Sequence, residues 1–301
     1  MNANRNIQLT QLDSQKFQAD LLLARFDGAE FFFAEASCPV YTLGAKRPDY
    51  LDFSCALQGI DASIISHHYR LSPNTLFGFD SNRETRIVVP ANLKLGTVQI
   101  RQDLFEDCLQ VMDRLDINSQ FLAKNYLSAP ITLPAVRAYL LDLMRLIQQQ
   151  PNFLKLTQLK KLILDDFIPL LIQAIPLRNE TSTHRSTCLN RTKLVKQAED
   201  YMLAHLDQPL TLKDLCKALN INSRSIFYGF QDMFGLSPMA YLKIQRLHGV
   251  RRLLKVADPT TNSIMAIANQ FGFWSAGHFA RDYKQMFGEL PGDNQAMMFE
   301  I

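Results

Sequence analysis

Apolar and polar positions alternate along this chain with two different periods. From residue 1 to about 105 the apolar runs are short, with alternation of period two in several places: AEFFFAEASCPVYTLG, YLDFSCAL, DASIISHHYRL, ETRIVVP and GTVQIR. Aromatic and β-branched side chains suit a pleated, half-buried surface, so each run predicts strand. Turn-forming residues at 59–61, 72–74 and 80–82 separate them. Many short strands with regular turns predict a sandwich or small barrel.

Beyond that point the period becomes helical. Residues 101–115 place Leu104, Cys108, Val111 and Leu115 three and four apart. A second helix is predicted from about Pro134 to Gln150, with Val136, Leu140, Leu143, Met144 and Ile147 on one face. A third covers about 154–175 through Leu156, Leu159, Ile163, Phe167 and Leu171, with Pro169 expected to kink or shorten it. These faces are wide enough to cover the β region and to meet another copy of the chain. The segment PLRNETSTHRSTCLNR, 176–191, has no sustained apolar period and predicts a linker. A further helix, about 191–205, follows, with its apolar face on Leu194, Val195, Ala198, Tyr201, Met202 and Leu206.

The remaining stretch carries one pattern twice. Leu212, Leu215, Leu219 and Ile221 match Ile264, Ile267, Phe271 and Phe273 at an offset of 52. Ile226, Phe230, Phe234, Gly235 and Pro238 match Phe279, Tyr283, Phe287, Gly288 and Pro291 at an offset of 53. The second unit therefore has one residue more than the first between its two halves, where a turn tolerates it. Each unit reads as helix, tight turn, helix. Spacing of four buries Ile226, Phe230 and Phe234 in the first unit and Phe279, Tyr283 and Phe287 in the second. Ser223 and Ser275 stand where a side-chain N-cap is wanted. Between the units SPMAYLKIQRLHGVRRLLKVADP predicts a helix of about 18 residues from near Pro238. Tyr241, Leu242, Leu247, Val250 and Leu254 form its apolar stripe, and Lys243, Arg246, Arg251, Arg252 and Lys255 form a basic run.

Composition narrows the classes. The 301 residues suffice for two domains, each with its own core. The start MNANRNIQLTQLDSQKF lacks the basic and apolar regions of a secretory leader, and no apolar run reaches membrane-spanning length. A cytoplasmic protein is expected. Five scattered cysteines, none in CxxC spacing, predict reduced thiols rather than disulfides or zinc. His67 and His68 lie on a strand-like run without a His/Glu set at metal spacing, so neither a metal nor a cofactor is expected. Nucleophile elbow, P-loop and GxGxxG are absent, which leaves no catalytic constellation. A net charge of +3 permits nucleic-acid binding without demonstrating it.

The chemistry lies on the outward faces of the second helices. A helix that enters the major groove needs small or polar residues near its N-terminus, a bidentate donor for base edges, and groups for phosphates. The first unit offers Arg224, Ser225, Phe227, Tyr228 and Gln231. The second offers Ser275, Ala276, His278, Arg281, Lys284 and Gln285. His278 could equally pack beside Phe279, and Trp274 is expected to pack into the turn. Lys243 and its basic neighbours suit phosphates.

Residues 191 to about 295 resemble the DNA-binding domain of the AraC/XylS family of bacterial transcription regulators. The doubled unit, the connector SPMAYLKIQRLHGVRRLL and the second-unit signature IANQFGFWSAGHFARDYKQMFGELP carry the resemblance. It implies base-edge contacts from Arg224, Phe227 and Tyr228 and from Ser275, Ala276, His278 and Arg281. It also implies an α+β chain. Residues 1–175 would be a cupin-like domain for effector sensing and dimerisation, β-rich to 105 and helical from 106. Residues 192–295 would be an all-α domain with units at about 211–235 and 263–288. The implied function is an effector-responsive activator that binds double-stranded DNA as a homodimer and contacts RNA polymerase. Two other readings stay open: an N-terminal domain that only dimerises, and an N-terminal enzyme fused to a DNA-binding domain.

Overall fold

The computed structural model describes residues 7–58, 63–128, 130, 132–176, 187–258 and 262–293. The N-terminal part is two antiparallel sheets. The first has the order β1 (Gln8–Gln11), β4 (Val40–Gly44), β9 (Thr85–Val89), β6 (Ile64–Ser66), β7 (Tyr69–Leu71). The second runs β11 (Tyr126–Ser128), β8 (Thr75–Phe77), β5 (Tyr50–Gln58), β10 (Lys94–Arg101), β3 (Ala29–Ala36), β2 (Ala19–Phe26). Ala56, Phe77, Ile64, Leu71 and Leu93 fill part of the space between the sheets. Strand alternation sends Phe53, Cys55 and Leu57 of β5 to the other face, where helices cover them. The expected turn at 59–61 lies outside the described residues.

Those helices are α1 (Gln102–Val111), α3 (Leu133–Gln149) and α4 (Thr157–Gln173), with α2 (Ser119–Leu122) a single turn. On α3 the predicted face is the buried one: Val136, Leu140, Leu143, Met144 and Ile147. Helix α4 runs through Pro169 and buries Ile163, Phe167 and Leu171, but Leu156 precedes it and is exposed. Phe167 meets Phe31 edge-on at 5.3 Å, which joins α4 to β3. The predicted face of α1 needs correction. Phe105 and Leu109 are its buried residues, Leu104 and Cys108 are half-buried, and Val111 and Leu115 are exposed. The helix stops at Val111, and Asp113 at φ 53° turns the chain away. Strand β11 is a second correction, because three residues inside a helical region give no alternation to read.

The C-terminal part begins with α5 (Thr187–Ala204), which starts inside the stretch read as linker; residues 177–186 lie outside the described residues. The doubled units follow as α6 (Leu212–Leu219) with α7 (Ser223–Phe234), and α9 (Ile264–Gln270) with α10 (Ala276–Phe287). Between them α8 (Pro238–Leu254) has the predicted stripe buried. Gly235 and Gly288 cap α7 and α10 in the left-handed region at φ 68° and 76°, which explains the glycine in both copies. The extra residue of the second copy lies in its turn, where Gly272 at φ 78° replaces Asn220 at φ 52°.

Packing separates the two copies. Ile226, Phe230, Phe234 and Tyr241 share one cluster with Val195, Ala198 and Met202 of α5 and with Leu12, Tyr41, Ile65 and Val88 from the five-stranded sheet and its border. Ile267, Phe279, Tyr283 and Met286 form a cluster with α8 alone. At Gly249 of α8 a Cβ would fall inside the Phe271 ring, so a bare backbone is what lets the second unit close on the connector.

Candidate nucleic-acid interface

The candidate side chains of the two units stand on the N-terminal halves of α7 and α10, except Lys284, which lies in the last turn of α10. Arg224, Phe227 and Tyr228 are exposed and Ser225 is half-buried; Ser275, Ala276, His278, Arg281 and Lys284 are all exposed. The exposure of His278 removes the alternative that it packs beside Phe279. The cap of α7 is one residue earlier than expected, because the Asn222 side chain accepts from the Ser225 N–H at 2.8 Å. Ser275 holds the N-cap position of α10 without a side-chain hydrogen bond. Trp274 does not pack into its turn. It is 70% exposed, and Phe273 takes the inward place beside Phe279 at 5.2 Å.

The basic run of α8 divides by partner. Arg246 donates to the carbonyls of Leu206 and Gln208 and so ties α8 to the end of α5. Arg251 pairs with Glu289 at 2.6 Å over the Phe287 ring. Lys243 pairs with Asp282 of α10 at 2.6 Å and keeps half of its side chain in solvent. Arg252 and Lys255 carry no ion pair among the described residues. The run is therefore partly a set of internal struts, and Lys243 must exchange Asp282 for any phosphate it meets.

A second group of residues, which the sequence did not reveal, docks the helical domain on the five-stranded sheet. Arg86 of β9 donates to Glu199 of α5 at 2.6 Å and to Asp200 at 2.6 Å. The Tyr241 hydroxyl donates to the other Glu199 oxygen at 2.6 Å. Glu199 is fully buried. Burial pushes its carboxyl above the usual value, while Arg86 and Tyr241 pull the other way. Burial also opposes the Arg86 charge, but Glu199 outweighs it and holds the guanidinium protonated. Tyr41 meets Phe234 edge-on at 5.7 Å in the same contact. The sheet domain reaches α7 and α10 at matching places near their C-terminal ends, with Arg70 donating to the Asp232 carbonyl and Gln11 to that of Met286. Both N-terminal halves stay uncovered.

His68 faces this contact, and neither it nor His67 is on a strand. They are the central residues of the β6–β7 hairpin, at φ 50° and 67°, a two-residue turn with both residues left-handed. The His67 ring holds the turn through the Glu84 carbonyl at 2.8 Å, Ser66 at 3.0 Å and Asn125 at 3.2 Å. His68 is buried 3.5 Å from Glu199. On α8, His248 meets the Gln11 carbonyl at 3.3 Å. Burial, with nearby cations, pushes His67 down to about 4, His68 to about 3 and His248 to about 4. All three are neutral in the folded chain, whereas the unfolded chain protonates them below about pH 6.5. Stability is thus expected to fall as pH drops from about 6.5 towards 4, by up to about 1.4 kcal/mol per pH unit for each histidine. Urea midpoints measured across that range check this. A midpoint that rises on acidification contradicts neutral burial, and His248→Gln should flatten the slope.

Among the described residues no group of three His, Cys, Asp or Glu could hold a metal, and no helix is long and apolar enough to cross a membrane. Cysteines 38, 55, 108 and 216 are free. A helix-turn-helix domain family matches residues 215–296. The probable thc operon regulatory protein of Rhodococcus erythropolis is 40% identical over 101 residues, 34% of this chain and 30% of that protein. The XylDLEGF operon transcriptional activator 2 of Pseudomonas putida is 34% identical over 95 residues, 31% of this chain and 59% of its own. The match thus spans less than two thirds of either relative. The crystal structure of a probable AraC family transcriptional regulator from Rhodopseudomonas palustris CGA009 is 40% identical, covering 35% of this chain and 96% of that one, with a TM-score of 0.32. Residues 215–296 thus belong to a helix-turn-helix domain family, and over about a third of its length the chain is similar to these transcription regulators.

Proposed function

We propose that this chain is a sequence-specific DNA-binding transcription regulator, and an effector-responsive activator. The observation that carries this reading is the pair of outward helix faces. Both are left uncovered at their N-terminal halves, and both are fixed to one connector helix. A rigid α8 between them suits two insertions into the major groove of double-stranded DNA. Regulation would come through residues 1–175, a cupin-like domain that also makes the homodimer, with RNA polymerase as partner and the cytoplasm as location.

The space between the two sheets supports the effector part. One side of it is polar. Asp52 accepts from Gln99 at 2.7 Å, Ser54 and Thr97 are bonded at 2.8 Å, and Lys46 donates to the carbonyls of Gly78 and Asp80. Burial lowers the Lys46 ammonium to about 8. A domain that served only for association could fill this space with apolar side chains at less cost.

Arg281→Ala is expected to weaken the selected site by about 1–3 kcal/mol while sparing random DNA. Lys243→Ala should weaken all sequences alike and flatten the salt dependence. Titrations of specific and random duplexes at several salt concentrations separate these cases. Equal losses on both duplexes for Arg281→Ala would remove the base-reading role.

A further inference from the structure

The two recognition helices present unlike surfaces. On α7 the outward stripe is Arg224, Phe227, Tyr228 and Gln231, at i, i+3, i+4 and i+7. Its centre is aromatic, with Phe227 43% and Tyr228 48% exposed. The two rings meet edge-on at 6.0 Å, and the Arg224 guanidinium lies 5.6 Å from the Tyr228 ring centre. On α10 the outward stripe is His278, Arg281 and Lys284, with no phenylalanine or tyrosine. Among the described phenylalanines Phe17 and Phe227 alone stand exposed. Neither the sheet domain nor the second unit covers Phe227.

We propose that the first unit reads thymine through the C5-methyl group, with Phe227 as the contact and Tyr228 as its support, while the second unit reads by hydrogen bonds. This rests on the DNA-binding reading above and adds the base class to it. Along the major groove the base edges offer donors and acceptors, and the thymine methyl is the apolar group among them. A phenylalanine ring has no hydrogen bond to give. Its only gain on the groove floor is the burial of that methyl. Tyr228 restricts the ring from one side, and Arg224 over Tyr228 keeps a cation beside the stripe, ready for a phosphate or a guanine. Phe227 and Tyr228 form an exposed aromatic pair on an otherwise polar helix face, and contact with DNA would take that surface out of water.

The test isolates one methyl group. The full-length chain selects duplexes from a random library. Each thymine of the selected site is then replaced by uracil, which keeps base pairing and removes only the methyl. Uracil at one or two positions on the first-unit side is expected to weaken binding about fourfold each, the worth of one buried methyl-sized group. In Phe227→Ala the same replacements should have no effect, and the variant should bind uracil and thymine duplexes equally. Phe227→Leu should restore part of the difference. Thymine positions on the second-unit side should respond alike in wild type and variant, which controls for folding. Uracil penalties that persist unchanged in Phe227→Ala, or that are absent in the wild type, overturn the proposal and leave DNA binding standing. So does a Phe227→Ala variant that binds every duplex normally yet fails to activate transcription, which would assign the ring to a protein partner. Failure to select any duplex overturns the functional reading itself.

Discussion

Arg86→Ala is expected to destabilise the chain by about 3–5 kcal/mol, because it leaves the buried Glu199 without its cation. The Arg86 side chain is 8% exposed and that of Glu199 is fully buried, so water cannot take over the lost contact. The loss should also depend on pH. His68, 3.5 Å from Glu199, is held neutral by burial and then by Arg86. Without Arg86, protonation of His68 restores a positive partner for Glu199. The variant should therefore lose less at pH 6 than at pH 8, against the trend of the wild type. Replacing Arg86 and Glu199 together by Met and Leu should recover much of the loss, since an apolar pair of similar volume needs no compensation. Urea unfolding of the three chains at both pH values measures this. An Arg86→Ala midpoint equal to that of the wild type would mean that the domains are not docked through this cluster.

Phe279→Ala is expected to cost about 3–5 kcal/mol, and to cost it locally. Phe279 is 1% exposed, with the Phe273 ring tilted against it at 5.2 Å and the Tyr283 ring edge-on at 5.5 Å. Its cluster contains no residue of the sheets. Hydrogen exchange in the variant should speed up across α9 and α10 while the sheets, α5 and α7 keep their protection. The equivalent change in the first unit, Phe230→Ala, should loosen the sheet contact as well, because Phe230 shares a cluster with Tyr41 and Val88. Uniform loss of protection in Phe279→Ala would show that the second unit is not a separate cooperative element.

The doubled units were legible because every local signal agreed. The apolar spacing, the glycine after each second helix and the proline beyond it all pointed to the same elements. The faces of α3 and α8 were legible for the same reason. Helix α1 was not, since Leu104, Val111 and Leu115 fit a helical period as well as Phe105 and Leu109 do, and only the sheet decides between them. The turn at His67 and His68 lacked the usual Asn or Gly, and it is held by ring contacts distant in sequence. Docking left no trace at all. Glu199 reads as one more charge on a surface helix until Arg86, 113 positions away, is placed against it. The candidate residues on α7 and α10 were visible in the sequence, but the exposure of Trp274 was not.

The separation of the two helical clusters bears on how such a chain can acquire a new operator. The first unit is built into its sheet: Phe234 and Tyr241 touch Tyr41 across the contact, so foreign residues there would have to satisfy both domains at once. The second unit packs its core on α8 alone, with Phe271 against Gly249 and Glu289 on Arg251, and reaches the sheet domain through Gln11 on the Met286 carbonyl. Residues 262–293 can thus be treated as an exchangeable cassette. A related unit that keeps the apolar face buried on Leu247, Val250 and Leu254, a ring opposite Gly249 and an acid for Arg251 could be grafted whole. The chain would then carry half of a new address without disturbing the half that answers to its sheet domain.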